Sequence, residues 1–352
     1  MRFIYGYDRI KKKVLRHEWR NMKMKKLVMT GPKQSRLEEV DMPVIKNGNE
    51  LIVKIKYCGV CMSEHYDWST AEEGMSFGHE PIGVVEKVGN EVTKVKVGDR
   101  VSGLFAGNAQ YAIAEEEDVF IIPDSVKDEE AVLESLSCLV SAVSKVKIPV
   151  VGTKVAVVGC GYMGCGAISL LKMRGAYVVA VDIKRESLEN AKRYGADEIY
   201  TPEELPPHYL GKPGEGIGFQ QEEGLGFERV MEWGETAESL DLAINLTRMC
   251  GQLAIGAYHT GGKRLVDVQQ LNVKAIDCLS THPREMDLNR ESCKNALKMI
   301  TDRTWSYWSV PTKVYPITKF DDAQAELETK FGKYMKALVD WTKFEGEPYI
   351  ID

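Results

Sequence analysis

Apolar positions along the chain change their period partway through. Between residues 26 and 123 they come in short β-branched runs, such as Leu51-Ile52-Val53-Lys54-Ile55-Lys56-Tyr57 and Gly83-Val84-Val85-Glu86-Lys87-Val88, separated by Gly-Asn and Gly-Asp turns. The pattern predicts an all-β domain. Residues 128–146 read as a helix, and Ile148-Pro149-Val150-Val151-Gly152 marks a junction where pattern and composition shift. Beyond it, Lys154-Val155-Ala156-Val157-Val158 is a continuous apolar strand, residues 163–174 a helix and Tyr177-Val178-Val179-Ala180-Val181-Asp182 a second strand, which together predict a βαβ unit. Further strands are expected at 229–233, 252–256 and 275–279, with helical stretches between most of them. Residues 201–226, rich in Gly, Pro and Glu, predict a long irregular excursion.

Length and composition narrow this picture. A chain of 352 residues suits two domains, and 44% apolar with 28% charged residues is the balance of a chain that builds cores. The net charge of -6, with no basic stripe, argues against a nucleic-acid surface and points to a small-molecule partner. No apolar run approaches the roughly 20 residues of a membrane span, and the start lacks a secretory apolar core, so a cytoplasmic location is expected. Eight scattered cysteines do not form the dense framework of a small secreted domain and are expected to be reduced. Residues 1–24, with Lys11, Lys12, Lys13, Arg16 and Arg20 and little apolar periodicity, read as an extension.

The strand at 154–158 runs directly into Gly159-Cys160-Gly161-Tyr162-Met163-Gly164, where a helix begins. That is the setting of a dinucleotide fingerprint. Gly159 permits the tight turn, Gly161 lets the backbone approach a diphosphate, and Gly164 lets helix and strand pack closely. Tyr162 and Met163 complete the loop, and the diphosphate rests on the positive end of the helix. A second strand ends in Asp182, twenty-three positions after Gly159, where a carboxylate would hold the adenosine ribose. A carboxylate there favours NAD and repels the 2'-phosphate of NADP, although Lys184 and Arg185 follow at once and soften the repulsion.

In the β-rich region Cys58-Gly59-Val60-Cys61-Met62-Ser63-Glu64-His65 is followed by Gly78-His79-Glu80-Pro81. Cys58 and Cys61 have CxxC spacing, but no second CxxC or paired histidines complete a four-ligand structural site. These segments, with GVCMSE, GHEPIGVVEKVG, VGDRV, the ESLSC region and the glycine loop in order from residue 26 to about 341, resemble the medium-chain dehydrogenase/reductase superfamily, in its zinc-dependent alcohol, polyol and threonine dehydrogenase branch. The resemblance implies an α/β chain: a GroES-like β-rich catalytic domain over 25–150 and 283–352, and a Rossmann doubly wound parallel-sheet domain binding NAD over 151–282.

It also implies one catalytic zinc held by Cys61 and His79, with Cys58 a neighbour. A catalytic zinc takes three protein ligands and keeps one position open, and both Glu80 and Glu134 are candidates for the third. The family's structural zinc lobe is missing, because no cysteine lies between Val101 and Tyr111. Metal coordination can lower the pKa of bound water from about 15.7 to about 7, on the order of 12 kcal/mol, which is the activation a hydroxyl needs before hydride departs. By the same resemblance Ser63 is the hydroxyl of a proton relay. Relatives carry a histidine five residues after the cysteine, where Tyr66 stands here; His65, one position earlier, is the candidate to replace it. Glu64 is expected to orient His79 from behind. Cys138, one helical turn after Glu134, is expected to pack near the nicotinamide. Trp68, Trp305, Trp308 and His282 are candidates both for lining a substrate cavity and for ordinary packing.

The expected substrate is a small alcohol or carbonyl compound, a polyol, sugar or other polar secondary alcohol first, and the expected assembly a homodimer or homotetramer. Two other readings stay open: a reductase for an aldehyde or activated ketone within the same family, and a zinc-free quinone-reductase-like enzyme or catalytically silent cofactor-binding protein.

Overall fold

The early part of the chain builds antiparallel sheet, as its short β-branched runs require. The computed structural model describes residues 19, 21–211, 225–305, 307, 309–330 and 332–351. Most of the expected extension, part of the 201–226 excursion and Trp308 therefore lie outside the described residues. Strands β1 (Lys23–Gly31) and β2 (Gln34–Asp41) form an antiparallel pair. Strand β3 (Glu50–Val60) is the longest of the set, buried at nearly every position. A short helix α1 (His65–Ser69) precedes β4 (Pro81–Val88), β5 (Arg100–Gly103), β6 (Tyr111–Glu115) and β7 (Val119–Ile121). β3 pairs antiparallel with β4 and β6, β4 with β5, and β5 with β7.

The expected helix at 128–146 is split. Asp128–Glu130 is a single tight turn, Ala131 leaves helical geometry at φ -98°, ψ 43°, and helix α2 runs Leu133–Lys145. The split has a physical cause. The Asp128 carboxylate is clamped by Lys56 at 2.6 Å and Arg100 at 2.6 and 2.8 Å, which holds the turn to the β-rich unit. Helix α2 packs instead within the second unit. The compact units accordingly divide at Val132–Leu133, rather than at the pattern change near 150.

The second unit continues with β8 (Lys154–Val158), α3 (Tyr162–Met173), β9 (Tyr177–Val181), α4 (Arg185–Arg193), β10 (Glu198–Tyr200), β11 (Phe227–Glu232), α5 (Ala237–Leu246), β12 (Thr247–Ile255), α6 (Val268–Val273), β13 (Asp277–Ser280) and α7 (Met286–Thr301). All six strands are parallel, in the order β10-β9-β8-β11-β12-β13. Val155 to Val158 and Val178 to Val181 are at most 3% exposed. Continuous apolar burial of this kind is what parallel strands covered on both faces need. The order reverses direction between β8 and β11, which places a topological switch point at their carboxyl ends. The described part of the 201–226 excursion carries two short turns at Pro202–Glu204 and Pro207–Tyr209, and Tyr209 inserts into the core beside Phe227.

The remaining elements are β14 (Thr312–Pro316), α8 (Phe320–Glu326), β15 (Lys336–Asp340) and β16 (Tyr349–Ile351). They complete the large sheet in the order β16-β14-β15-β3-β4-β5-β7, with β6 on β3. Residues 314–325 and 338–349 group with the first unit and 133–313 with the second, so the return to the β-rich unit falls at 314, not at 283. Helix α7 stays with the second unit, joined to α2 by a hydrogen bond of 2.6 Å from Ser137 Oγ to Asn289. Among the described residues no helix is long and apolar enough to cross a membrane.

Candidate active site

The metal-ligand candidates are brought together by strand register. β3 ends at Val60, β4 begins at Pro81, and the two are antiparallel with Cys58 opposite Pro81. Cys61, just past one strand, therefore meets His79 and Glu80, just before the other. The ligand atoms of Cys61, His79 and Glu80 all lie within 4.8 Å of one another. A thiolate, an imidazole and a carboxylate at that spacing are a donor set suited to zinc.

Neighbouring groups shape the cluster. Glu64 Oε1 accepts from the Gly78 amide at 2.9 Å and lies 2.6 Å from His79 Nδ1. A carboxylate on Nδ1 fixes the ring and leaves Nε2 for a metal. Burial opposes a charge on this imidazole, but hydrogen bonds and negative charge from Cys61 and Glu64 outweigh it and hold the pKa far above the ordinary histidine range. That is the signature of a site with negative charge to spare for a cation. The Glu80 side chain is buried, and a Cβ on Gly59 would come 1.7 Å from its Oε2, so the carboxylate occupies room that only glycine leaves. The donor set and this cradle fit a single divalent ion.

The loop between the ligands is stitched to its surroundings. Trp68 Nε1 donates to Asp321 at 2.8 Å, and the Asp321 carboxylate also accepts from the Ser35 amide and hydroxyl. The Met29 amide donates to the Met75 carbonyl and the Met29 carbonyl accepts from the Gly74 amide, and Ser76 Oγ donates to the Leu27 carbonyl. Ser63 Oγ donates to Cys61 Sγ at 3.2 Å. The His65 ring packs on Trp68 with centroids 5.2 Å apart. Cys58 is buried against the backbone of Gly78 and Gly107, and burial pushes its thiol pKa up, so it is packing material.

Glu134 and Cys138 belong to the second unit, where Cys138 Sγ donates to Glu134 Oε1 at 3.4 Å. Among the described residues of the first unit, Cys61, His79 and Glu80 are the three that cluster. Trp68 and Trp305 are both buried, Trp305 donating to Ser169 at 2.7 Å, so each has a structural role; His282 stacks on Tyr258 at 5.3 Å.

In the second unit the glycine loop has the geometry its spacing calls for. Gly159 has φ +88°, and a Cβ there would meet Gly234 N at 2.6 Å. A Cβ on Gly164 would fall 1.9 Å from the Gly159 carbonyl oxygen. Gly161, the residue capping α3, has nothing within 4 Å of its missing Cβ. Two glycines are thus required by the protein itself, and the third faces open space where a diphosphate can reach the free amides of α3. Tyr162 is held by Tyr307, whose hydroxyl donates to its carbonyl at 2.5 Å, and Met163 follows it in the first turn of α3. Asp182 Oδ2 accepts from the Cys160 amide at 2.7 Å and Oδ1 from the Lys184 amide at 2.8 Å, which fixes the acid beside the loop. Lys336, a buried residue far along the chain, sets its ammonium 4.9 Å over the Tyr162 ring. A lysine at the head of a buried strand is its signal in the sequence.

The chain is similar to known proteins along both units. Residues 47–124 match the alcohol dehydrogenase GroES-like domain family, and residues 163–302 the zinc-binding dehydrogenase family. An alcohol dehydrogenase of Geobacillus stearothermophilus is 34% identical over 209 residues, 48% of this chain and 61% of that enzyme. A probable D-xylulose reductase A of Arthroderma otae is 26% identical over 354 residues, covering 89% of this chain and 96% of the relative. The solved L-idonate 5-dehydrogenase of Escherichia coli superposes with a TM-score of 0.75 over 91% of this chain and 99% of its own, at 18% identity, a likeness of fold. Other solved neighbours carry NADH in one case and NADP in another. The chain thus carries, in order, the GroES-like domain of the alcohol dehydrogenases and the zinc-binding dehydrogenase domain, and belongs to the zinc-binding dehydrogenases of the medium-chain dehydrogenase/reductase superfamily.

Proposed function

We propose that the protein transfers a hydride between NAD and a polar secondary alcohol, a polyol or sugar, at one zinc per chain held by Cys61, His79 and Glu80. The observation that carries this reading is the meeting of those three ligand atoms within 4.8 Å. When bound, zinc supplies a Lewis acid that lowers the pKa of a hydroxyl presented to its open position, and nicotinamide supplies the hydride acceptor. Cys61 and Glu80 contribute two negative charges against the ion's two, and His79 binds as the neutral ring that Glu64 orients. Ser63, one hydrogen bond from the Cys61 sulfur, is the hydroxyl placed to take up a substrate proton, with His65 two residues on as the next acceptor. Cys138 packs near the nicotinamide end.

NAD is favoured over NADP because Asp182 repels a 2'-phosphate, and Arg185, one of the cations that could soften that repulsion, is engaged in an ion pair with Glu204. Similarity to a D-xylulose reductase supports a polyol or its ketone as substrate. The ligand trio speaks against a zinc-free or silent protein. All eight cysteines are free, which supports a reducing compartment, the cytoplasm. A homo-oligomer is supported by β13, the edge strand of the parallel sheet, whose Asp277, Cys278 and Ser280 are exposed.

Metal analysis with polyol-dependent NAD reduction tests the assignment. Cys61→Ser is expected to lose zinc and turnover while keeping NADH binding, and Glu80→Gln to weaken zinc at least about tenfold, with Glu134→Gln retaining it. Zinc loss in Glu134→Gln with retention in Glu80→Gln would transfer the third ligand to Glu134. Turnover by fully zinc-free enzyme would end the proposal.

A further inference from the structure

Two loops at the carboxyl ends of β11 and β12 are tied together by a buried carboxylate. Glu232, the last residue of β11, is 0% exposed. Its Oε1 accepts from the Gly234 amide at 2.7 Å, the Glu235 amide at 3.0 Å and Ser239 Oγ at 2.7 Å, which shapes the loop leading into α5. Its Oε2 lies 2.9 Å from His259 Nε2, in the loop after β12. A carboxylate can only accept, so Nε2 carries the proton. A second tether runs alongside. Glu235 Oε1 accepts from Thr260 Oγ1 at 2.9 Å and from its amide at 3.3 Å, and Arg264 Nη2 donates to the carbonyls of Thr260 at 2.7 Å and Glu235 at 3.3 Å.

The backbone at both ends of the tether is unusual. Glu235 has φ 63° and His259 φ 52°, left-handed conformations that cost a side-chain-bearing residue free energy and persist only where surrounding contacts enforce them. The braced loop also lies against the glycine loop, since Gly234 N is the atom a Cβ on Gly159 would strike.

Position gives the brace a role. Asp182 marks the adenosine side at the end of β9, and the diphosphate site follows β8. At a switch point a dinucleotide crosses from one half of the sheet to the other, so its remaining half extends over β11 and β12. We infer that the Glu232–His259 pair positions these two loops as the floor beneath the nicotinamide half, making His259 a positioning residue for hydride transfer. The inference rests on the dinucleotide reading of the glycine loop. Releasing the pair frees the loops to adopt ordinary backbone conformations, and the nicotinamide half loses a prepared surface while the adenosine half keeps its own.

NADH contains both halves and AMP only the adenosine half, so the two ligands separate the effects. Titration of NADH by fluorescence and of AMP by calorimetry would be carried out on the zinc-loaded wild type, His259→Ala, His259→Gln and Thr260→Val. His259→Ala is expected to weaken NADH roughly tenfold and leave AMP within about twofold. His259→Gln, whose amide can still donate to Glu232, is expected to recover most of that loss, and Thr260→Val to show the same split at smaller size. Should His259→Ala not fold, the last two variants carry the test. Equal weakening of both ligands across the variants, or a glutamine variant no better than alanine, would overturn the inference. A wild type that binds neither NADH nor AMP would overturn the dinucleotide reading instead.

Discussion

At the scale of single residues, the cluster of Cys61, His79 and Glu80 depends on a glycine that no ligand pattern points to. The Glu80 carboxylate fills the space where a Cβ on Gly59 would sit, at 1.7 Å from Oε2 and 2.7 Å from Cδ. Gly59→Ala must therefore push Glu80 out of the cluster without altering any ligand. The expected result is zinc affinity lowered by at least about tenfold with circular dichroism unchanged, the size seen when a metal's supporting shell is disturbed. Unchanged zinc content would mean that Glu80 is dispensable. Cys61, His79 and Glu80 were legible because their spacing is part of a recognisable sequence pattern. The dependence on Gly59 was not, because it arises from the pairing of β3 with β4 across some twenty residues of intervening chain. The same holds for His259 and Lys336, whose partners Glu232 and Tyr162 lie far away in sequence and meet them only through the sheet and the loops around it.

At the scale of elements, the loop between β8 and α3 separates two functions of glycine that one motif conceals. Gly164 is needed for the element to pack, since its missing Cβ would lie 1.9 Å from the Gly159 carbonyl oxygen, whereas Gly161 faces open space. Gly164→Ala is expected to cost about 1–3 kcal/mol of stability through overpacking. Gly161→Ala is expected to leave the melting curve in place and weaken NADH by about tenfold, or 1.4 kcal/mol. Thermal denaturation and NADH titration of the two variants check this; equal loss of stability in both would show that the open space at Gly161 has no ligand to receive. The strands at 154–158 and 177–182 were readable because continuous apolar runs of that length leave little alternative. The break between Asp128–Glu130 and α2 was not, because helix-forming residues fill the region and the interruption comes from Lys56 and Arg100 pulling on Asp128. Propensity along the chain carries no information about a clamp of that kind.

For the whole molecule, the chain crosses between its two units more often than the pattern of runs suggests, which is why the unit limits fell at 132 and 314 instead of 150 and 283. Helices α2 and α7 flank the parallel sheet's unit at both ends of its sequence, and periodicity identifies a helix without saying which sheet it will cover. The parallel sheet leaves β13 at its edge, so light scattering is expected to give at least twice 39.5 kDa; a single-chain mass would reject the proposed oligomer. One feature of the large sheet reaches into the protein's biogenesis. Strand β15, at 336–340, sits between β14 and β3 in the interior of that sheet. Residues up to 340 must leave the ribosome before that sheet can gain its interior strand, whereas every strand of the parallel sheet has emerged by Ser280. During translation the parallel sheet, though encoded in the middle of these residues, can therefore be complete before the large sheet whose first strands precede it.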